Sequence, residues 1–131
     1  MYSTIKAKFV TRLTSLGYTE QAEFFENENI AQPDKTYSIR CYGLEQGIIG
    51  SKYNTVFLKM GVVISINYDL HLGNSYSASI DLIDDLVTDV INPDNYPTGA
   101  RLIDYDGLDL NIDNDTLEAK VKFKVEYAKN N

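Results

Sequence analysis

With 131 residues the chain has the usual size of one domain, and 44% apolar, 11% aromatic and 24% charged residues suit a globular protein able to close a core without staples. Twelve Lys and Arg against nineteen Asp and Glu leave a net charge of −7, which speaks against duplex DNA as a ligand, since neutralising phosphates needs clustered cations. One Cys excludes an internal disulfide, and the longest uninterrupted apolar run, residues 60–64, falls far short of the roughly 20 residues of a membrane helix, so a cytosolic origin without a membrane partner is expected.

In chain order, Tyr2, Ile5, Phe9, Leu13 and Leu16 recur at spacings of three and four, which predicts a helix over about residues 4–16. Ser3 or Thr4 is its expected cap, and Gly17 its expected stop. Lys6, Lys8 and Arg12 flank the apolar stripe with no acid before Glu20, so residues 1–19 carry +3 and the remainder −10. Residues 19–35 read as a loop anchored by Phe24 and Phe25. A strand is predicted over residues 36–42, where Tyr37, Ile39 and Cys41 alternate with Ser38, Arg40 and Tyr42. Residues 43–52, with three glycines and no period, read as a flexible loop.

From Val56 to Leu70 every even position is apolar or aromatic, the pattern of one long strand. At about 3.3 Å per residue it exceeds the need of a small domain, which predicts a bulge near Gly61 or an overhang. Asn74 or Ser75 caps a second helix whose apolar arc is Tyr76, Ile80, Ile83, Val87, Val90 and Ile91, with Asp81, Asp85 and Asp89 opposite and Pro93 as the stop. Two further short strands are expected over residues 101–104 and 108–112. After the turn at residues 113–116, a last strand places Leu117, Ala119, Val121, Phe123, Val125 and Tyr127 on one face. The order α-β-β-α-β-β-β with short turns predicts a single α+β domain: about five mostly antiparallel strands with both helices on one face. No internal repeat is evident.

Little in this inventory suits catalysis. His71 stands where a strand ends at Gly73 and reads as a turn residue, while Cys41 falls on an inward position and reads as a buried structural thiol. The acids Asp104, Asp106, Asp109, Asp113 and Asp115 resemble a calcium loop in composition, but an EF-hand needs Gly and Glu where Asp109 and Asp115 stand. Lys120, Lys122 and Lys124 share one strand face, either as an anion site or as a face kept soluble by lysine. No catalytic residue, metal or cofactor is called for, and the chain is not expected to be an enzyme.

Residues 28–39, Glu28-Asn29-Ile30-Ala31-Gln32-Pro33-Asp34-Lys35-Thr36-Tyr37-Ser38-Ile39, resemble the segment that enters the first strand in tail terminator proteins of long-tailed bacteriophages. The long strand ending at Tyr68, the helix after Tyr76, the proline loop and the final strand around residues 121–127 follow the order of elements in that family. Where the family has an Ile-Pro pair this chain reads Ile30-Ala31-Gln32-Pro33. The resemblance implies a virion structural protein that forms a six-fold ring on the tail tube, stops tail polymerisation and joins the tail to the head connector. Its partners would be further copies of itself, the tail tube protein and the head–tail connector protein, with DNA only passing through. A ring of six would carry 6 × (−7) = −42 formal charges, suited to a channel to which DNA does not stick. A neck or head-completion connector and an unrelated small α+β ligand-binding domain are the alternative readings. Two contact regions are expected: Gly47, Ile48, Ile49 and Gly50 in the loop with Tyr53 and Phe57 beyond it, and the charged set of Lys8 and Arg12 with Asp81, Asp85 and Asp89, paired within the fold or between neighbours.

Overall fold

The computed structural model describes residues 1–21, 34–50, 55–71 and 75–130, with side chains for all of these except 47–50, 55, 129 and 130. Helix α1 spans Tyr2–Ser15 and buries Ile5, Phe9 and Leu13. Its N-cap is Met1, with no side-chain cap, so neither Ser3 nor Thr4 serves: the helix starts at Tyr2 and both already lie in its first turn. At the other end Gly17 takes φ +90°; its N–H donates to the Thr14 carbonyl and that of Tyr18 to Leu13, a Schellman closure with Tyr18 and Leu13 both buried.

Strand β1, Thr19–Glu20, then pairs in parallel with the start of β2, Thr36–Gly50. The sequence reading placed a loop from residue 19, and its part over residues 22–33 lies outside the described residues. β2 forms an antiparallel hairpin with β3, Thr55–Asp69. After α2, Tyr76–Ile91, and a single 3-10 turn, Pro93–Asn95, strand β4, Ala100–Asp113, pairs antiparallel with β5, Thr116–Asn130. Asn114 and Asp115 both have positive φ, as a two-residue type I′ hairpin turn requires. The sheet order is β1-β2-β3-β5-β4.

The fold class is α+β with a five-stranded sheet, as expected, although the strands are counted differently. β1 was not foreseen, and the two short strands expected over residues 101–112 are one. The stretch from Gly43 to Gly50 is strand rather than loop, because its backbone pairs with β3 as far as Gly50 opposite Thr55; the remainder of the predicted loop, residues 51 and 52, lies outside the described residues. The expected bulge is also elsewhere. β3 and β5 run through fifteen unbroken pairs, from Thr55 opposite Asn130 to Asp69 opposite Thr116. The extra residues sit in the flanking strands, at Tyr42 and between Gln46 and Ile49 in β2, and between Ala100 and Leu102 and at Asp106 in β4.

Both helices lie on the same face. Phe9 of α1 packs on Phe123 of β5 with ring centroids 6.2 Å apart, and Ile83, Leu86 and Val90 of α2 join Val62, Ile64, Ile66, Val121 and Phe123 in one continuous core. Fully burying side chains of this size contributes about 1.5–3 kcal/mol each, which is why the even positions of β3 and odd positions of β5 dictate the sheet's orientation. Ser75 caps α2 by accepting from the Ala78 N–H at 3.1 Å, as expected.

Candidate assembly surface

The sheet ends in two edges and exposes a second face, and the sequence-predicted residues distribute over all three. On the helix side, the expected charge pairing is realised inside the fold for one pair. Arg12 Nε donates to Asp89 Oδ2 at 3.0 Å and its Nη2 donates to Oδ1, a two-pronged contact tying α1 to α2. The hydrogen bond to Asp89 raises the already high pKa of the guanidinium. Asp89 is further held by Asn95, whose Nδ2 donates to its carbonyl at 3.0 Å and its carboxylate at 3.2 Å. Asp81 and Asp85 are exposed and Lys8 half-buried, and no ion pair involves any of these three among the described residues. Lys6 instead meets Glu20 of β1 at 3.9 Å.

On the face away from the helices, Tyr42 acts as a strap. As the extra residue of the β2 bulge it lies across Gly61 of β3, where an added Cβ would stand 2.6 Å from its ring. Its hydroxyl donates to Asp106 at 2.5 Å, the extra residue of the β4 bulge two strands beyond. Lys124 of β5 sits over the ring at 5.3 Å and reaches Glu45 at 3.2 Å. Burial, reinforced by the contact with Asp106, raises the phenol pKa of Tyr42. The strap thus crosses all four long strands. Lys120 and Lys122 of β5 are engaged too, Lys122 with Asp109 at 2.9 Å and Lys120 with Glu118 at 3.7 Å, so on this face each of the three is matched by an acid of its own sheet.

Several expectations need correction or relocation. Cys41 is exposed rather than buried: it keeps the inward register of Ile39, opposite Val62, but β2 beyond Tyr37 has no strand on its other side among the described residues. Val63, expected on a solvent face, is buried. Phe57 is half-buried with the Arg101 guanidinium 4.6 Å above its ring, and Arg101 also donates to the buried Glu126 at 2.9 Å. Gly47, Ile48, Ile49 and Gly50 belong to the paired end of β2, their side chains lying outside the described set, and Tyr53 lies outside the described residues altogether. His71 is exposed in a turn, its Nδ1 4.0 Å from Asp115.

The sequence reading missed the β4 edge. Among the described residues β4 pairs only with β5, and Leu102, Tyr105, Leu110 and Ile112 along it are exposed, Ile112 to 55%. At the opposite edge Leu44 of β2 is exposed to 60%. The shifts at Tyr42 and Asp106 left a signal in the sequence: inward residues are odd from Tyr37 to Cys41 and from Ile103 to Tyr105, then even at Leu44 and Gln46 and from Leu108 to Ile112, each slip falling on a residue followed by glycine. At Gly107 the φ of +142° explains the glycine. Among the described residues no group of three or more His, Cys, Asp or Glu is arranged to hold a metal ion, and no helix is long and apolar enough to cross a membrane. Comparison of the chain with models of known protein families and with curated proteins finds no match.

Proposed function

We propose that the chain is a virion structural protein, a tail terminator that assembles as a ring on the end of a phage tail tube, stops its polymerisation and joins it to the head connector. The reading rests on the resemblance of residues 28–39 and on the order of elements that follows it. The observation that supports it most directly is the long open sheet: β3 and β5 pair over their full fifteen residues while both flanking strands keep an edge with exposed apolar side chains. Natural sheets usually blunt their edges with charge, proline or cover; β4 carries four aspartates, yet Leu102, Tyr105, Leu110 and Ile112 stay exposed along it, and a long edge that keeps such side chains is a surface for another chain.

The test is made on assembling tails. Tails made without this protein are expected to be over-long and unable to join heads, and adding the purified protein to tails in vitro is expected to cap them at one end. By light scattering the capping species should have a mass of about six times 14.8 kDa, near 89 kDa. Purification of the protein with heads instead of tails would favour a neck connector. Tails of normal length in its absence would overturn the reading.

A further inference from the structure

We infer that copies of this chain join head to tail by continuing the sheet, the β4 edge of one lying antiparallel against the β2 edge of the next. The surface deepens the ring reading above and rests on it for its biological setting, but it is argued from the fold. β2 and β5 run one way and β3 and β4 the other, so β4 beside a second copy's β2 repeats the antiparallel relation of every long pair already in the sheet. Among the described residues, β4 offers the outward N–H and C=O groups of a strand fourteen residues long, and β2 beyond Tyr37 offers its own. Exposed Tyr105, Leu110 and Ile112 on one edge and Leu44 on the other point to the side on which the helices lie, so joining the edges extends the apolar layer without changing its face.

Charge selects this arrangement over the two-fold one. Residues 76–113, which include α2 and β4, hold nine Asp and one Arg, a net −8, whereas residues 1–50, which include α1, β1 and β2, hold five cations and six acids, a net −1. α2 packs over β4, and α1 lies at the other side of the sheet, against β1 and with the Tyr2 hydroxyl donating to Ile39 of β2 at 3.2 Å. The charge difference therefore runs across the width of the sheet, from one edge to the other. A β4-to-β4 pair would set −8 against −8. Head to tail, the acidic edge meets one that is close to neutral, and Arg40, exposed on β2, projects on the same outer face as Asp104, Asp109 and Asp113 of the incoming β4. Such a contact uses two different surfaces and closes into a ring when its rotation divides a full turn.

The experiment is complementation between two blocked variants, each altered only at exposed positions. One carries Leu110→Lys and Ile112→Lys on β4; the other carries Leu44→Lys and Arg40→Glu on β2. Each should unfold cooperatively, with circular dichroism like that of the wild type. The wild type is expected to assemble, each variant alone to run at 14.8 kDa by light scattering, and their equimolar mixture to form a 1:1 pair of twice that mass and nothing larger. Dimers of the β2 variant alone, with no pairing in the mixture, would show two-fold β4 contact and overturn the proposal. Rings from both variants would overturn it while leaving the ring reading intact, and a monomeric wild type whose variants do not pair would overturn it too. Complementation by a protein that leaves tail length unaffected would instead uphold the surface and sink the tail-terminator reading.

Discussion

Replacing Gly61 by Ala tests the Tyr42 strap, because the sign of its effect depends on a side chain in the neighbouring strand. Taken alone, Gly→Ala in a strand is favourable by about 0.5–1 kcal/mol, since alanine loses less backbone freedom on folding. Here the new methyl would stand 2.6 Å from two ring atoms of Tyr42, so the ring must swing off the sheet. That movement breaks the hydrogen bond to Asp106, a charged acceptor worth about 1.5 kcal/mol at this half-open site, and the cation–π contact with Lys124, worth about 0.5 kcal/mol. The net expectation is a loss of about 1–1.5 kcal/mol. In a Tyr42→Ala background the obstruction is gone and the same change should stabilise by about 0.5–1 kcal/mol. Urea unfolding of the four proteins, with equal slopes, gives the cycle directly, and a coupling of about 2 kcal/mol is expected. An equal cost for Gly61→Ala with and without the tyrosine ring would refute the reasoning.

Other expectations follow from single contacts. Ser75→Ala should cost about 1 kcal/mol through loss of the α2 cap, measurable as a lower melting temperature, while Ser3→Ala and Thr4→Ala should be neutral because neither caps α1. Asp89→Ala should lower the unfolding midpoint and abolish the effect of Arg12→Ala, whereas Asp81→Ala and Asp85→Ala should leave it unchanged; equal effects from all three aspartates would disprove the α1–α2 tie. Burial raises the phenol pKa of Tyr68, and burial also raises that of Tyr18, whose hydroxyl lies 2.7 Å from it. The unfolded chain therefore releases these protons first, so stability should be constant below pH ~10 and fall above it by up to about 1.4 kcal/mol per pH unit for each buried tyrosine. Tyr68→Phe should flatten that decline, and stability that stays constant to pH 11.5 would contradict the assignment.

The elements legible in the sequence were those with an uninterrupted period. β3 and β5 carry apolar side chains in strict alternation because their pairing has no bulge, and α2 was legible as a helix but only partly in its arc: Ile83 and Val90 are buried as read, Ser79 and Leu86 are buried outside it, and Tyr76 and Ile91 are exposed. β2 and β4 broke the reading at the same kind of place. A bulge residue shifts the inward set by one, so Cys41 and Leu44, or Tyr105 and Leu108, share a face although the alternation says otherwise. Three glycines between residues 43 and 50 then concealed the rest of β2 as a loop. Of the candidate site, charge polarity was visible and so was the pairing of Arg12 with an aspartate of α2. Which strands lie at the edges was not, because sheet order depends on the long-range pairing of β3 with β5, which no local pattern encodes.

Two of the four register shifts, at Tyr42 and Asp106, stand at equivalent places, each being the seventh residue of its strand and each followed by glycine, so the middle of the sheet is duplicated in shape, while the shifts between Gln46 and Ile49 and between Ala100 and Leu102 have no counterpart. Adding 64 to a residue of β2 and 61 to one of β3 carries the register of Cys41 with Val62 onto that of Tyr105 with Phe123, and Gly43 with Gly61 onto Gly107 with Lys122. The β3–β5 ladder maps onto itself about a dyad between Val62 and Phe123. Each half is a helix followed by a hairpin, and the two outer strands are counterparts. Backbone geometry alone would then let either edge meet either edge, in closed pairs or in polar chains. The halves differ in the signs on their helices, three cations and no acid on α1 against four aspartates and no cation on α2, with Arg12 and Asp89 pairing across them, and it is this difference in charge that gives a nearly two-fold body a direction.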